Sequence, residues 1–122
     1  MFKYCGKIDD VELDVENNFL DGSEKRVVFG PGNGFSDFMA VRDFRIDPGV
    51  VSSPHTHPWA HCITGIKGKG SFVIEGESAP IEPGRWCYVP GDLEHYFQND
   101  GDEVFEFQCI VPPEGDVNPN KK

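Results

Sequence analysis

Apolar and polar positions alternate along this chain in short runs, each closed by turn residues. From Phe38 to Ile46 the residues Phe38, Ala40, Phe44 and Ile46 fall on one face of an extended segment, and Arg42 falls on that face with them. Lys25–Phe29 reads as a strand stopped by the glycine-rich run 30–34. Further strands are predicted at Val50–His57, His61–Ile66, Ser71–Glu75, Ser78–Ile81, Arg85–Val89, Glu94–Gln98 and Val104–Val111, with Gly, Pro, Asn or Asp between them. With a short strand near Phe2–Cys5, this makes roughly ten, the pattern of an antiparallel sandwich or barrel. No segment has helical periodicity of useful length, and no internal repeat stands out. The chain divides into an N-terminal arm (1–24), a β unit (25–112) and a mobile C-terminal tail (113–122) rich in Pro, Gly, Asn and Lys.

A length of 122 residues suits one domain. The net charge of −10 repels polynucleotide backbones and anionic lipid surfaces, so neither nucleic acid nor membrane is expected as a partner. No apolar run reaches the length of a membrane span. Cys5, Cys62, Cys87 and Cys109 form no CxxC pair, and no secretory signal precedes them. They read as reduced thiols of a cytoplasmic protein.

The chemistry is concentrated in the histidines. The chain has four, His55, His57, His61 and His95, all within one short window. His55 and His57 are two apart, so an extended backbone points both rings to one face. His61 follows the break Pro58-Trp59-Ala60, and His95 follows a Gly-Asp turn. A lone buried histidine is usually a satisfied core residue. Four at these spacings, with none elsewhere, point instead to one metal ion. Nitrogen donors suit a divalent first-row metal (Mn, Fe, Co, Ni, Cu or Zn) rather than Mg or Ca.

Two blocks carry a family resemblance. Gly49-x5-His55-Thr56-His57-x3-His61-x6-Gly68 resembles the first motif of the cupins, and Gly84-x5-Pro90-x4-His95-x3-Asn99 resembles the second. The short stretch between them is similar to that of small single-domain cupins. The resemblance implies an all-β double-stranded β-helix, or jelly-roll barrel, with a metal inside near one mouth. It implies two ligands from the strand of His55 and His57, a third from His61 on the next strand, and a fourth from His95 across the barrel. It also implies a homodimer paired through sheet edges. Two positions depart from the family pattern. His61 stands where Glu is usual, as in a four-histidine subgroup, and Asp92 stands where the second motif normally has Gly.

Four neutral imidazoles leave a divalent ion its full formal charge, which favours an anionic guest. Strand parity supplies the pocket wall. Phe97 faces as His95 does, and Ile63 as His61 does. Phe105, Phe107 and Cys109 share the face taken as interior, and Cys62 faces away. Trp59 either caps the site or packs at a subunit contact. Arg42, among core positions, needs a partner. It either anchors a substrate carboxylate or carbonyl, or forms a structural ion pair with a rim acid. No nucleophile–base–orienter set is present, so hydrolase chemistry is not expected. Gly30–Gly34 lacks the lysine of a phosphate loop.

Two functions remain. The first is an oxygenase-type enzyme acting on a small aromatic, enol or unsaturated substrate at the metal. The second is a non-catalytic, metal-dependent binding module for a small anion such as a dicarboxylate. No general acid or base is evident beside the metal, which weakens isomerase and lyase readings.

Overall fold

In the computed structural model, which describes residues 4–18 and 20–116, the alternation along the chain becomes strand register. Among the described residues there are eight strands: β1 (Ser23–Phe29), β2 (Ala40–Ile46), β3 (His61–Lys67), β4 (Gly70–Ile74), β5 (Glu77–Ile81), β6 (Trp86–Val89), β7 (His95–Asn99) and β8 (Phe105–Val111). They form a five-stranded sheet in the order β1-β2-β8-β3-β6 and a three-stranded sheet in the order β5-β4-β7. Every pairing is antiparallel. Two facing sheets with long-range crossings make a jelly-roll sandwich, the expected fold class.

The core fills the space between the sheets. Ile46, Ile63, Val89, Phe105 and Phe107 come from the large sheet, Phe72 and Ile81 from the small one. Phe107 sits at the centre of an aromatic cluster. Its ring lies 5.1 Å from Phe72, 5.2 Å from Phe97 and 5.3 Å from Phe44. Such tilted and offset contacts add to the burial energy of each ring. The tight turn into β4 depends on Gly68, whose φ of 75° lies in the left-handed region.

β2 is buried on both faces at its centre. Arg42 faces inward, while Asp43, 0% exposed, faces outward beneath the N-terminal arm. The arm is tied down by a bridge from Leu13 to Arg26, by Arg26 Nε donating to the Val11 carbonyl (3.1 Å), and by Arg45 pairing with Asp9 (2.6 Å).

Four expectations are corrected or fall outside the description. Phe38 precedes β2 and is 77% exposed, so only Ala40, Phe44 and Ile46 of its set pack inward. The segment from Val50 to His57 forms no continuous strand. It meets β7 at two isolated bridges, Val51–Gln98 and His55–His95. Pro54 has no N–H to give, and the Ser52 hydroxyl takes the Phe97 N–H (2.9 Å) that a regular ladder would have used. The strand proposed at Phe2–Cys5 lies partly outside the described residues, and Tyr4 and Cys5 are not in a strand. The tail is packed as far as Asp116, which pairs with buried cations, while 117–122 lie outside the described residues. No helix among the described residues is long and apolar enough to cross a membrane.

Candidate metal centre

His61 opens β3 and His95 opens β7, so the two sheets each carry one imidazole to the same end of the sandwich. The connecting segment is fastened beside them. His55 N–H donates to the His95 carbonyl (2.8 Å), and His95 N–H donates back to His55 (2.9 Å). Asp92 N–H donates to the His57 carbonyl (2.6 Å), which fixes His57 against the turn that precedes β7. Trp59 lies flat on the His57 ring, with centroids 4.9 Å apart and planes 5° apart. It therefore orients a histidine rather than lining the cavity.

The side chains converge accordingly. One nitrogen each from His57, His61 and His95 lies within 4.8 Å of the others. His55 stands next to this trio, its ring 5.8 Å from that of His57, but is not within the same spacing. The structure thus brings three of the four predicted histidines together and leaves the fourth half-exposed beside them.

Hydrogen bonds select the ring nitrogen that faces the cluster. Nδ1 of His95 lies 3.0 Å from the Leu93 carbonyl, which can only accept, so Nδ1 donates there and Nε2 is the nitrogen left for the cluster. Nδ1 of His61 lies 3.3 Å from Cys109 Sγ, and His61 Nε2 is buried with no hydrogen-bond partner. An orphaned buried nitrogen is costly unless something fills its coordination. Burial, and then the Arg42 guanidinium, push His61 down to about 3. Burial, and then neighbouring imidazoles, push His57 down to about 4. Both rings are therefore neutral at physiological pH, the form that binds a metal. Tautomer, protonation state, convergence and the unfilled Nε2 all fit a divalent transition metal.

A cavity of about 170 Å³ opens beside the trio. Of the predicted wall, Arg42, Phe97, Phe107 and Cys109 line it. Ile63 lies in the apolar core instead, because strand parity fixes a face but not a depth. Ser52, Phe44, Phe72 and Lys25 also line the cavity and were not singled out from sequence. Phe44 shared the inward face of its strand, a usable signal. Lys25 gave none, since a lysine in an exposed edge strand looks the same. The Cys109 thiol is pushed up, chiefly by burial, and stays protonated at neutral pH.

Comparison with known proteins agrees with this architecture. A methylsulfurylase of Rhodospirillum rubrum, "1-methylthio-D-xylulose 5-phosphate methylsulfurylase", is 31% identical over 94 residues. That match covers 77% of this chain and 59% of the relative, so the chain spans well under the relative's full length. "Polyketide synthase CurC" of Streptomyces cyaneus is 29% identical over 119 residues, covering 92% of this chain and 75% of the relative. Among solved structures, the polyketide cyclase RemF from Streptomyces resistomycificus superposes with a TM-score of 0.79 at 22% identity, over 93% of this chain and 80% of that one. The cupin domain model matches residues 42–111, more than half of the sequence, and the chain belongs to the cupin family.

Proposed function

We propose that the chain is a metal-dependent enzyme. It would hold a small organic substrate with an aromatic, enol or unsaturated body beside a divalent transition metal. His57, His61 and His95 would hold the ion, with His55 as the adjacent fourth nitrogen. The observation that carries this reading is the convergence of three imidazoles, one with a buried, unpartnered Nε2, at the wall of an aromatic cavity. When bound, such an ion supplies Lewis acidity toward a substrate oxygen and, if redox-active, electron transfer to dioxygen.

The protein's own residues exclude water and position the guest. Phe44, Phe72, Phe97 and Phe107 form an apolar wall, and apolar walls orient flat or unsaturated molecules. That aromatic wall suits an unsaturated substrate, and oxygenase-type chemistry with dioxygen as the oxidant is the first reading. A redox-neutral rearrangement is the second reading. It is favoured by sequence relatives such as a glucose-6-phosphate isomerase of Pyrococcus abyssi, 41% identical over 58 residues that make up 31% of its length.

The test is turnover of an enol and phenylpropene panel by the Fe, Mn and Zn forms in an oxygen electrode. Oxygen uptake confined to Fe or Mn supports the first reading. Anaerobic turnover with Zn supports the second. Tight anion binding without turnover under any metal would make the protein a binding module. The proposal includes a homodimer, since Trp86 (76% exposed) and Tyr88 stand bare on β6, an edge strand. A light-scattering mass of one chain would overturn that part. All four cysteines are unpaired, which fits a reducing, cytoplasmic setting.

A further inference from the structure

The wall beside the imidazoles carries two buried cations, Lys25 (2% exposed) and Arg42 (6% exposed). Their partners are unequal. Lys25 Nζ lies 3.0 Å from Asp14 and 2.8 Å from Asp116, and it donates to the Asn17 carbonyl (3.3 Å). Arg42 is less well served. Nη2 donates to Cys109 Sγ (3.0 Å), a weak acceptor, and Nη1 reaches the Gly115 carbonyl only at 3.5 Å. Asp116 stands 3.6 Å from Nη1, beyond hydrogen-bond distance, and Nε is buried with no partner. A guanidinium is a planar fork built for two-point contact with a carboxylate. Here the fork faces a cavity and lacks that contact.

Two further features bear on what would complete it. The Phe44 ring centroid lies 5.2 Å from Arg42 Cζ, so the donors border directly on the aromatic wall. Asp116 follows a short 3-10 turn (Pro113–Gly115) and bridges both cations. If Asp116 moves, Lys25 keeps Asp14, so no buried lysine is left unpaired. The exchange is also neutral in charge: one carboxylate leaves and one arrives.

We propose that Arg42 is the anion-recognition element of the cavity, that Asp116 is its resident carboxylate, and that the substrate is a small carboxylate with an apolar, unsaturated body that takes the Arg42 donors in place of Asp116. This rests on the reading of the cavity as a substrate site and names the class of molecule it selects. An ion held by the histidine trio would supply Lewis acidity toward another oxygen of the same guest, while the guanidinium takes the carboxylate. Specificity follows from desolvation. A neutral isostere would leave the fork unpaired inside the protein and so bind more weakly.

The experiment is calorimetric titration of the full chain with benzoate and with benzamide, its neutral isostere. Each is run on metal-loaded and on chelator-stripped protein. The expected result is at least about tenfold preference for benzoate in both forms. Asp116→Asn should tighten benzoate by about tenfold and leave benzamide unchanged, because the competing carboxylate is gone. Arg42→Lys keeps the charge but loses the fork, and should erase the preference while circular dichroism shows an intact sheet fold. Equal affinity for the two probes, no binding of either, or weaker benzoate binding by Asp116→Asn would each overturn the proposal. A preference that disappears with the metal would place the anion at the ion rather than at Arg42, and would also overturn it. A preference that persists in stripped protein supports it even if the histidines prove to bind no metal.

Discussion

Cys109 holds His61 in place: its Sγ lies 3.3 Å from His61 Nδ1. The strand ladder explains why. Cys109 pairs with Arg42 on one side and Ile63 on the other, two residues along from His61. Its sulfur is the partner of Nδ1, and Nε2 is left without one. Partners of this kind fix ring orientation and tautomer, and their loss costs about 10–100-fold in metal affinity. Cys109→Ala should therefore weaken zinc or manganese binding by about tenfold, read by competition with a chromogenic chelator. Cys109→Ser should recover part of the loss, because a hydroxyl can also pair with Nδ1.

The histidines should not be equivalent. Single alanine substitutions of His57, His61 or His95 should each abolish stoichiometric metal retention through gel filtration, measured by elemental analysis. His55→Ala should retain metal with affinity reduced by only about tenfold, because His55 stands outside the close trio. Equal loss in all four variants would show that the four rings act as one set.

Asp43 sets a pH dependence remote from the cavity. Burial, and then the neighbouring Glu106 on β8, push its carboxyl up to about 7, against 3.8 as its ordinary value. Arg45, 3.3 Å away on β2, and Arg26 on β1 oppose the shift. The folded chain therefore holds a proton between these two values that the unfolded chain has released. Stability from this group is full at low pH and falls as pH rises through about 7. The buried, neutral His57 and His61 give apoprotein stability a slope of the opposite sign below pH 6.5, so the Asp43 contribution is read as a difference between two proteins. In urea unfolding, the stability of wild-type apoprotein relative to Asp43→Asn, which cannot ionise, should decline by on the order of 1–3 kcal/mol as pH rises over that window.

Asp92 carries a φ of 67°, in the left-handed region, where a side chain is strained. This is the position at which the family pattern has glycine, and Asp is among the few residues that tolerate it. Asp92→Gly should raise stability by roughly 0.5–1 kcal/mol in thermal denaturation. The Asp92 N–H that holds the His57 carbonyl belongs to the backbone, so metal affinity should be unchanged. A fall in melting temperature would mean that the Asp92 side chain has a role of its own.

The sheet architecture and the convergence of three of the four histidines were legible because both follow from spacing. Alternation put Arg42 and Phe107 on inward faces, and the His-x-His step with its later partners pointed to one end of the barrel. What escaped was long-range. Nothing near Lys25 in sequence announces Asp116 as its partner, since only the folded chain brings the last 3-10 turn back over β1 and β2. Phe38 was misplaced because parity extends a pattern past the point where the strand begins, at Ala40. Gly115 is another long-range requirement. A Cβ there would come within 2.8 Å of Val111 and 2.9 Å of Trp59 Nε1, a crowding no local pattern reveals.

His61 belongs to the five-stranded sheet and His95 to the three-stranded one, with His57 on the span between. An ion gripped by all three would act as a rivet across the seam of the sandwich. Any sliding of one layer over the other would then be felt first as a change in the spacing of its donors, so the mechanical tightness of the whole barrel and the reactivity at its mouth become a single adjustable property.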